Sequence, residues 1–127
     1  KKTFFIKILM KKKIFCFDVD NTICITKGKQ YSRSKPIEEV IILINKLYSE
    51  GHVIKIFTSR YMGRNSDNIN KAYKQGYKFT HKQLKRWGLN FHKLHMGKPS
   101  FDIFVDDRSI GFKKNWPSLI RKILKKK

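Results

Sequence analysis

A run of four apolar residues, Ile14-Phe15-Cys16-Phe17, ends abruptly in Asp18. The run is rich in β-formers, so it predicts a strand buried on both faces, as in a parallel sheet. Residues 26–36 hold Gly28, two serines and Pro36 and predict a loop. A helix follows, with Ile37, Val40, Ile41, Ile44, Leu47 and Tyr48 on one face. Pro36 suits its first position, Glu38 and Glu39 suit its positive end, and Gly51 stops it. Residues 52–57 (HVIKIF) predict a second strand, running into Thr58-Ser59-Arg60. A short helix is expected near 67–75. Thr80 and Gln83 have capping-box spacing for another, which carries Leu84 and Trp87 and closes at Gly88. Residues 90–95 and 101–105 (FDIFV) predict a third and a fourth strand, and Pro117 opens a last helix. Strands alternating with helices define an α/β fold with a mostly parallel sheet.

The chain has 127 residues, the size of one domain, and such a domain buries roughly two-thirds of its unfolded surface. No apolar run reaches the ~20 residues of a membrane span. Residues 1–13 resemble a signal peptide only superficially: Lys7 interrupts them and no small-residue cleavage site follows. Residues 1–9 are read as an extension or an extra edge element, and the protein as cytoplasmic. Cys16 and Cys24 make no disulfide scaffold.

Lys and Arg number 30 against 9 Asp and Glu, a net charge of +21. A basic surface attracts nucleic acid, anionic lipid or phosphorylated substrates. Lysine and isoleucine enrichment also follows from an AT-rich coding sequence, so the charge alone does not decide among partners. The scarce acids are more informative. Asp18, Asp20, Asp106 and Asp107 form two tight clusters.

Ligands of parallel sheets bind outside the carboxyl ends of the strands. Asp18, Thr58 and Asp106 each fall at or just after such an end, which predicts that they converge. Asp18 and Asp20 are two residues apart, so on extended chain both carboxylates point one way. Two such carboxylates coexist when a cation lies between them or one holds a proton. With Asp106 and Asp107 the set suits a hard ion, best Mg²⁺, which uses one or two carboxylates plus water and phosphate. Zinc lacks a Cys/His ligand set here, and His92 and His95 would face opposite sides of a strand. Thr58 and Ser59 offer a hydroxyl and N–H groups to a phosphate oxygen, and Lys98 offers a fixed positive charge. Carboxylate nucleophile, metal, hydroxyl and lysine together describe phosphoryl transfer.

Asp18-Val19-Asp20-Asn21-Thr22 matches the DxDx[TV] signature of the haloacid dehalogenase-like (HAD) hydrolases. Thr58, Lys98 and Asp106-Asp107 match that superfamily's second, third and fourth motifs in order, so residues 13–108 resemble it. The resemblance implies a Rossmann-like three-layer sandwich spanning 1–127 as one domain. It implies that Asp18 is the nucleophile that becomes aspartyl-phosphate, and that Asp20 is the general acid and then the base. Mg²⁺ would be held by Asp18, the Asp20 carbonyl and Asp106, with Asp107 at second remove or anchoring Lys98. Thr58 and Lys98 would bind the transferred phosphoryl group, with Thr22, Ser59 and Arg60 contributing to substrate binding. Asp20 argues against dehalogenation. The short spans after Thr22 and after Arg60 leave no room for a cap domain.

Gly51-His52, Phe57-Thr58-Ser59-Arg60, Gln83-Leu84, Trp87-Gly88 and Gly97-Lys98-Pro99 resemble small HAD-like proteins of capsule and lipopolysaccharide biosynthesis. That narrower likeness implies a sugar phosphate as substrate. Lys29, Tyr31, Arg60 and Tyr61 flank the expected site and are either readers of the leaving group or ordinary loop residues. A receiver domain fails on motif order, and a P-loop or dinucleotide binder lacks its glycine motif. A phosphatase of nucleotides or nucleic-acid ends stays open, as does a basic nucleic-acid-binding module using exposed aromatics. An oligomer is compatible with an open site.

Overall fold

The computed structural model describes residues 11–125, so the expectation for residues 1–9 lies outside the described residues. Five strands run in the order β1 (Ile14–Phe17), β2 (Cys24–Ile25), β3 (Lys35–Pro36), β4 (Val53–Thr58) and β5 (Lys93–Met96). Three α-helices are α1 (Glu38–Ser49), α2 (Ile69–Arg86) and α3 (Trp116–Lys125). Strands β1, β4 and β5 form a parallel sheet in the order β1-β4-β5, and β2 and β3 form a separate antiparallel ribbon. The chain is therefore a mixed α/β protein built on a parallel three-stranded sheet.

The register places Phe17, Ile56 and Leu94 in one row, and Cys16, Lys55 and Lys93 in the next. The first row is buried with Ile54, and α1 adds Val40, Leu43, Ile44 and Leu47. Leu84 of α2 and Trp116 and Ile120 of α3 complete this single core. Burial of each such side chain contributes roughly 1.5–3 kcal/mol. The second row is exposed at Cys16 and Lys93, and Ile14 beside it is 66% exposed. A continuous apolar β1 predicts cover on both faces. Among the described residues one face is packed and the other is exposed at Ile14, Cys16 and Lys93.

His52 does not begin β4; it extends the sheet from just outside it. Its Nδ1 accepts a hydrogen bond from the Lys13 N–H at 3.0 Å. His92 does the same before β5, accepting from the Ile54 N–H at 3.0 Å.

Four local expectations are corrected. Pro36 is not the first residue of a helix: it pairs with Cys24 in the β2–β3 ribbon, and Ile37 precedes α1. The two helices expected near 67–75 and after Thr80 are one helix. Its N-cap is Asn68, whose side chain accepts from the Lys71 N–H at 3.0 Å. Thr80 is thus mid-helix, and its hydroxyl is turned inward instead of capping an end. Residues 101–105 form no strand. The Phe101 and Phe104 rings lie 5.1 Å apart, whereas an extended chain puts residues three apart on opposite faces. The segment turns on itself, leaving Ile103 81% and Val105 91% exposed.

Candidate functional site

Asp18 follows β1 directly, Thr58 ends β4, and Lys98 follows β5 by one residue beyond the Gly97 turn. Parallel pairing sets these three chain ends side by side. The Lys98 N–H donates to the Thr58 carbonyl at 3.1 Å, which carries the β4–β5 alignment one step past the strands. The Lys98 Nζ lies 3.7 Å from Asp18 Oδ2, an ion pair at longer than hydrogen-bond distance. Lys98 also sits over the Phe101 and Phe104 rings, at 5.4 and 5.1 Å from their centres.

Partial burial pushes the Asp18 carboxyl above its ordinary value. Lys98 and the Val19 N–H oppose the rise, and the charge of Asp20 adds to it. Asp18 is thus a carboxylate kept close to a positive charge yet not neutralised by a bidentate partner.

Asp20 has a different environment. After β1 the chain turns tightly, with Ile23 N–H donating to the Val19 carbonyl at 2.9 Å and Asn21 at φ +61°. This turn aims the Asp20 carboxylate at Arg60. Arg60 Nε donates to Oδ2 at 2.9 Å and Nη2 donates to Oδ1 at 2.8 Å. Thr26 Oγ1 donates to Oδ1 as well. Arg60 is 1% exposed, and its remaining N–H groups reach Gln83 Oε1 at 2.7 Å, Thr80 Oγ1 at 3.4 Å and Ser34 Oγ at 3.4 Å. Gln83 Nε2 is fixed in turn by the Tyr31 carbonyl at 2.7 Å. All five guanidinium donors therefore have acceptors. The Tyr31 ring lies 4.6 Å from the guanidinium carbon.

The sequence expectations divide accordingly. Asp18, Thr58 and Lys98 come together. Asp20 stays within electrostatic reach of Asp18, but its oxygens serve Arg60 and Thr26 instead of opening jointly with Asp18 onto one cavity. Arg60 was expected to meet substrate; it is buried and holds Asp20. Thr58 is 1% exposed and its Oγ1 accepts from the Arg60 N–H at 3.1 Å, which leaves the hydroxyl proton as its donor. Ser59 is half-buried beside it, and its carbonyl accepts from the Met62 N–H at 3.0 Å. Thr22 lies in the turn, its N–H donating to the Val19 carbonyl at 3.2 Å.

Asp106 and Asp107 lie on an exposed stretch, where Asp106 Oδ1 accepts from the Arg108 N–H at 2.8 Å. The charge of Asp106 is felt at Cys16 in β1. Burial raises the Cys16 thiol, Lys98 and Lys55 lower it, and Asp18 and Asp106 both raise it again. Among the described residues no three His, Cys, Asp or Glu side chains gather as a metal site, so the expected four-carboxylate cluster is not assembled. Residues 101–105 form no strand, so Asp106 and Asp107 do not follow a strand end. Asp18 and Asp106 are hard oxygen donors of the kind Mg²⁺ takes; the arrangement itself supplies only Asp18 at the strand ends.

Sequence reasoning missed Thr26, Ser34, Thr80 and Gln83. A signal was present in α2: Ala72, Gly76, Thr80 and Gln83 are all buried, a small and polar stripe through a helix face. Such a stripe means that something polar faces it, here Arg60.

No protein-family model matches the chain, and no curated protein matches it. Among solved structures, it is similar to a structural-genomics target from Vibrio cholerae, with a TM-score of 0.72 and 20% identity. The match covers 89% of this chain and 98% of that one. At that identity it shows a shared fold. No described helix is long and apolar enough to cross a membrane.

Proposed function

We propose that this chain is a phosphomonoester hydrolase of the HAD-like type, a capless Rossmann-like domain acting in the cytoplasm. The observation that carries the reading is the Lys98–Asp18 pair, 3.7 Å apart at the carboxyl end of the sheet beside Thr58. An Asp18 oxygen attacks phosphorus, and the bond from phosphorus to the leaving oxygen breaks. The Lys98 charge and the Thr58 hydroxyl offset charge on the phosphoryl oxygens. Water then attacks the aspartyl-phosphate, its proton passes to a base, and Asp18 is released as a carboxylate with inorganic phosphate. Asp20 is the proposed base. Asp20 also gives the leaving oxygen its proton in the first step, so the proton it takes from water in the second replaces the one it gave up. Mg²⁺ is the proposed cofactor, with Asp18 as the protein ligand at the strand ends, and it would supply further neutralisation of the phosphate.

The proposed substrate is a sugar phosphate of polysaccharide biosynthesis. The net charge of +21 favours a second reading, a phosphatase of nucleotides or nucleic-acid ends. Phosphate release from an aryl phosphate, with and without Mg²⁺, tests the proposal. Wild type is expected to be active with Mg²⁺ and Asp18→Asn inactive; equal rates for the two proteins would remove Asp18 as nucleophile. Salt separates the substrate readings. Turnover of nucleic-acid ends should fall steeply as salt rises, and turnover of a small sugar phosphate should not.

A further inference from the structure

Three loops meet at Ser100, two residues after Lys98. A Cβ built on Gly63 would lie 3.6 Å from Lys29 Nζ and 3.6 Å from Ser100 Oγ. Lys29 therefore stands next to the loop that carries Lys98. The Ser100 N–H also donates to Asp67 Oδ1 at 3.2 Å, which ties the 98–100 loop to the 63–67 loop. On the next residue, the Arg64 guanidinium lies 4.6 Å from the centre of the Tyr61 ring and 5.8 Å from that of Tyr31. The two rings are 5.2 Å apart. Lys29 and Arg64 are exposed, and neither has a carboxylate partner among the described residues.

This corner is held in place. Tyr61 takes φ +68°, a conformation rare for a bulky residue, and its ring fills the notch left by Gly76. Tyr31 is fixed by Arg60 beneath it and by Gln83 on its carbonyl. Cation–π contact with both rings limits where the Arg64 guanidinium can go, so part of the ordering cost of binding is already met. A planar fork with free donors, on the residue after the Gly63 backbone that Lys29 approaches, suits a phosphate or carboxylate.

We propose that Lys29, Arg64, Tyr31 and Tyr61 form a second anion subsite, so that the preferred substrate carries a further phosphate or carboxylate besides the phosphate held at Asp18. This rests on the phosphatase reading for its chemistry, but its test does not. Binding of fructose 1,6-bisphosphate and of fructose 6-phosphate is measured by calorimetry in the Asp18→Asn background with Mg²⁺ present, where turnover is blocked. The bisphosphate is expected to bind at least ~10-fold more tightly. Adding Lys29→Gln with Arg64→Gln should bring the ratio close to one. Adding Lys46→Gln with Lys122→Gln, which removes two charges on α1 and α3, should preserve it. The proposal is overturned if the ratio is near one from the start, if it survives loss of Lys29 and Arg64, or if the control pair reduces it equally. Phosphate release by the wild type is followed separately. If neither sugar is hydrolysed, the phosphatase reading fails, and the binding ratios still decide whether the subsite exists.

Discussion

Arg60 grips Asp20 through two parallel hydrogen bonds, at 2.9 and 2.8 Å, from a position only 1% exposed. A charge so placed is stable only while its partner is present. Arg60→Met leaves Asp20 facing a pocket without its counter-ion and strands Gln83 and Thr80. Breaking such a pair costs about 3–5 kcal/mol. Urea denaturation should show a loss of that order. Arg60→Lys keeps the charge but not the fork, so it should fall between wild type and Arg60→Met. An unchanged midpoint in Arg60→Met would mean that the network carries no stability.

Asp18 links function to stability in the opposite sense. Burial raises its folded pKa above the ordinary 3.8. The folded protein then binds the proton more tightly than the unfolded chain. The associated stability is complete below pH 3.8 and is lost as pH rises through the folded value. At pH 7 the ionised group is a net burden, which fits the nucleophile role proposed for it. Asp18→Asn is therefore expected to raise the thermal midpoint at pH 7 while lowering phosphate release by at least ~100-fold. Calorimetry at pH 7 and pH 4 checks the sign: the gain should shrink at the lower pH.

How far the sequence could be read depends on whether a pattern was local. The apolar run at β1 was legible because four consecutive β-formers ending in Asp18 admit few alternatives. The face of α1 was legible from its spacing. The span of α2 was not, because its inward face carries Gly76, Thr80 and Gln83 instead of large apolar residues, and those residue types mimic loop and cap signals. Residues 101–105 look like a strand because composition reports burial tendency and not whether a partner edge is reached. At the site, Asp18 and Thr58 could be joined from their places at strand ends, whereas Lys98 entered as a charge for the phosphate and through the order of the matched motifs. The Arg60–Asp20 clamp could not, since it joins residues forty positions apart through a side chain whose neighbours suggested a solvent-facing loop.

His52 sets a pH dependence of its own. Burial lowers its pKa from 6.5, the Lys12 and Lys13 charges lower it further, and Glu50 opposes them. Its Nδ1 accepts from the Lys13 N–H, which requires the neutral ring. The unfolded chain takes up the proton first as pH falls. Stability is therefore present above about pH 6.5 and is lost as pH drops through the folded value. His95 shifts in the same direction, through burial and then the charges of Lys93 and Lys55. Urea midpoints at pH 7.5 and pH 5 should show the wild type weaker at pH 5. His52→Gln should start lower and depend less on pH, with the His95 part of the slope retained. A variant with the full wild-type slope would place the titration elsewhere.

Gly76 and Tyr61 are coupled by shape. A Cβ at position 76 would fall 2.1 Å from Tyr61 Cδ2 and 2.2 Å from Cε2, which no side chain tolerates. On an exposed helix, glycine to alanine gains up to about 1 kcal/mol. Here Gly76→Ala must push the Tyr61 ring aside, at a cost of about 1–3 kcal/mol for overpacking. The displaced ring would also withdraw one of the two faces over which Arg64 rests. In a Tyr61→Ala background the clash is gone, and Gly76→Ala should become neutral or stabilising. A double-mutant cycle by chemical denaturation measures the difference, expected at more than ~1 kcal/mol of coupling. Additive effects would mean that the ring does not occupy the notch, and the fixed position assigned to Tyr61 would go with it.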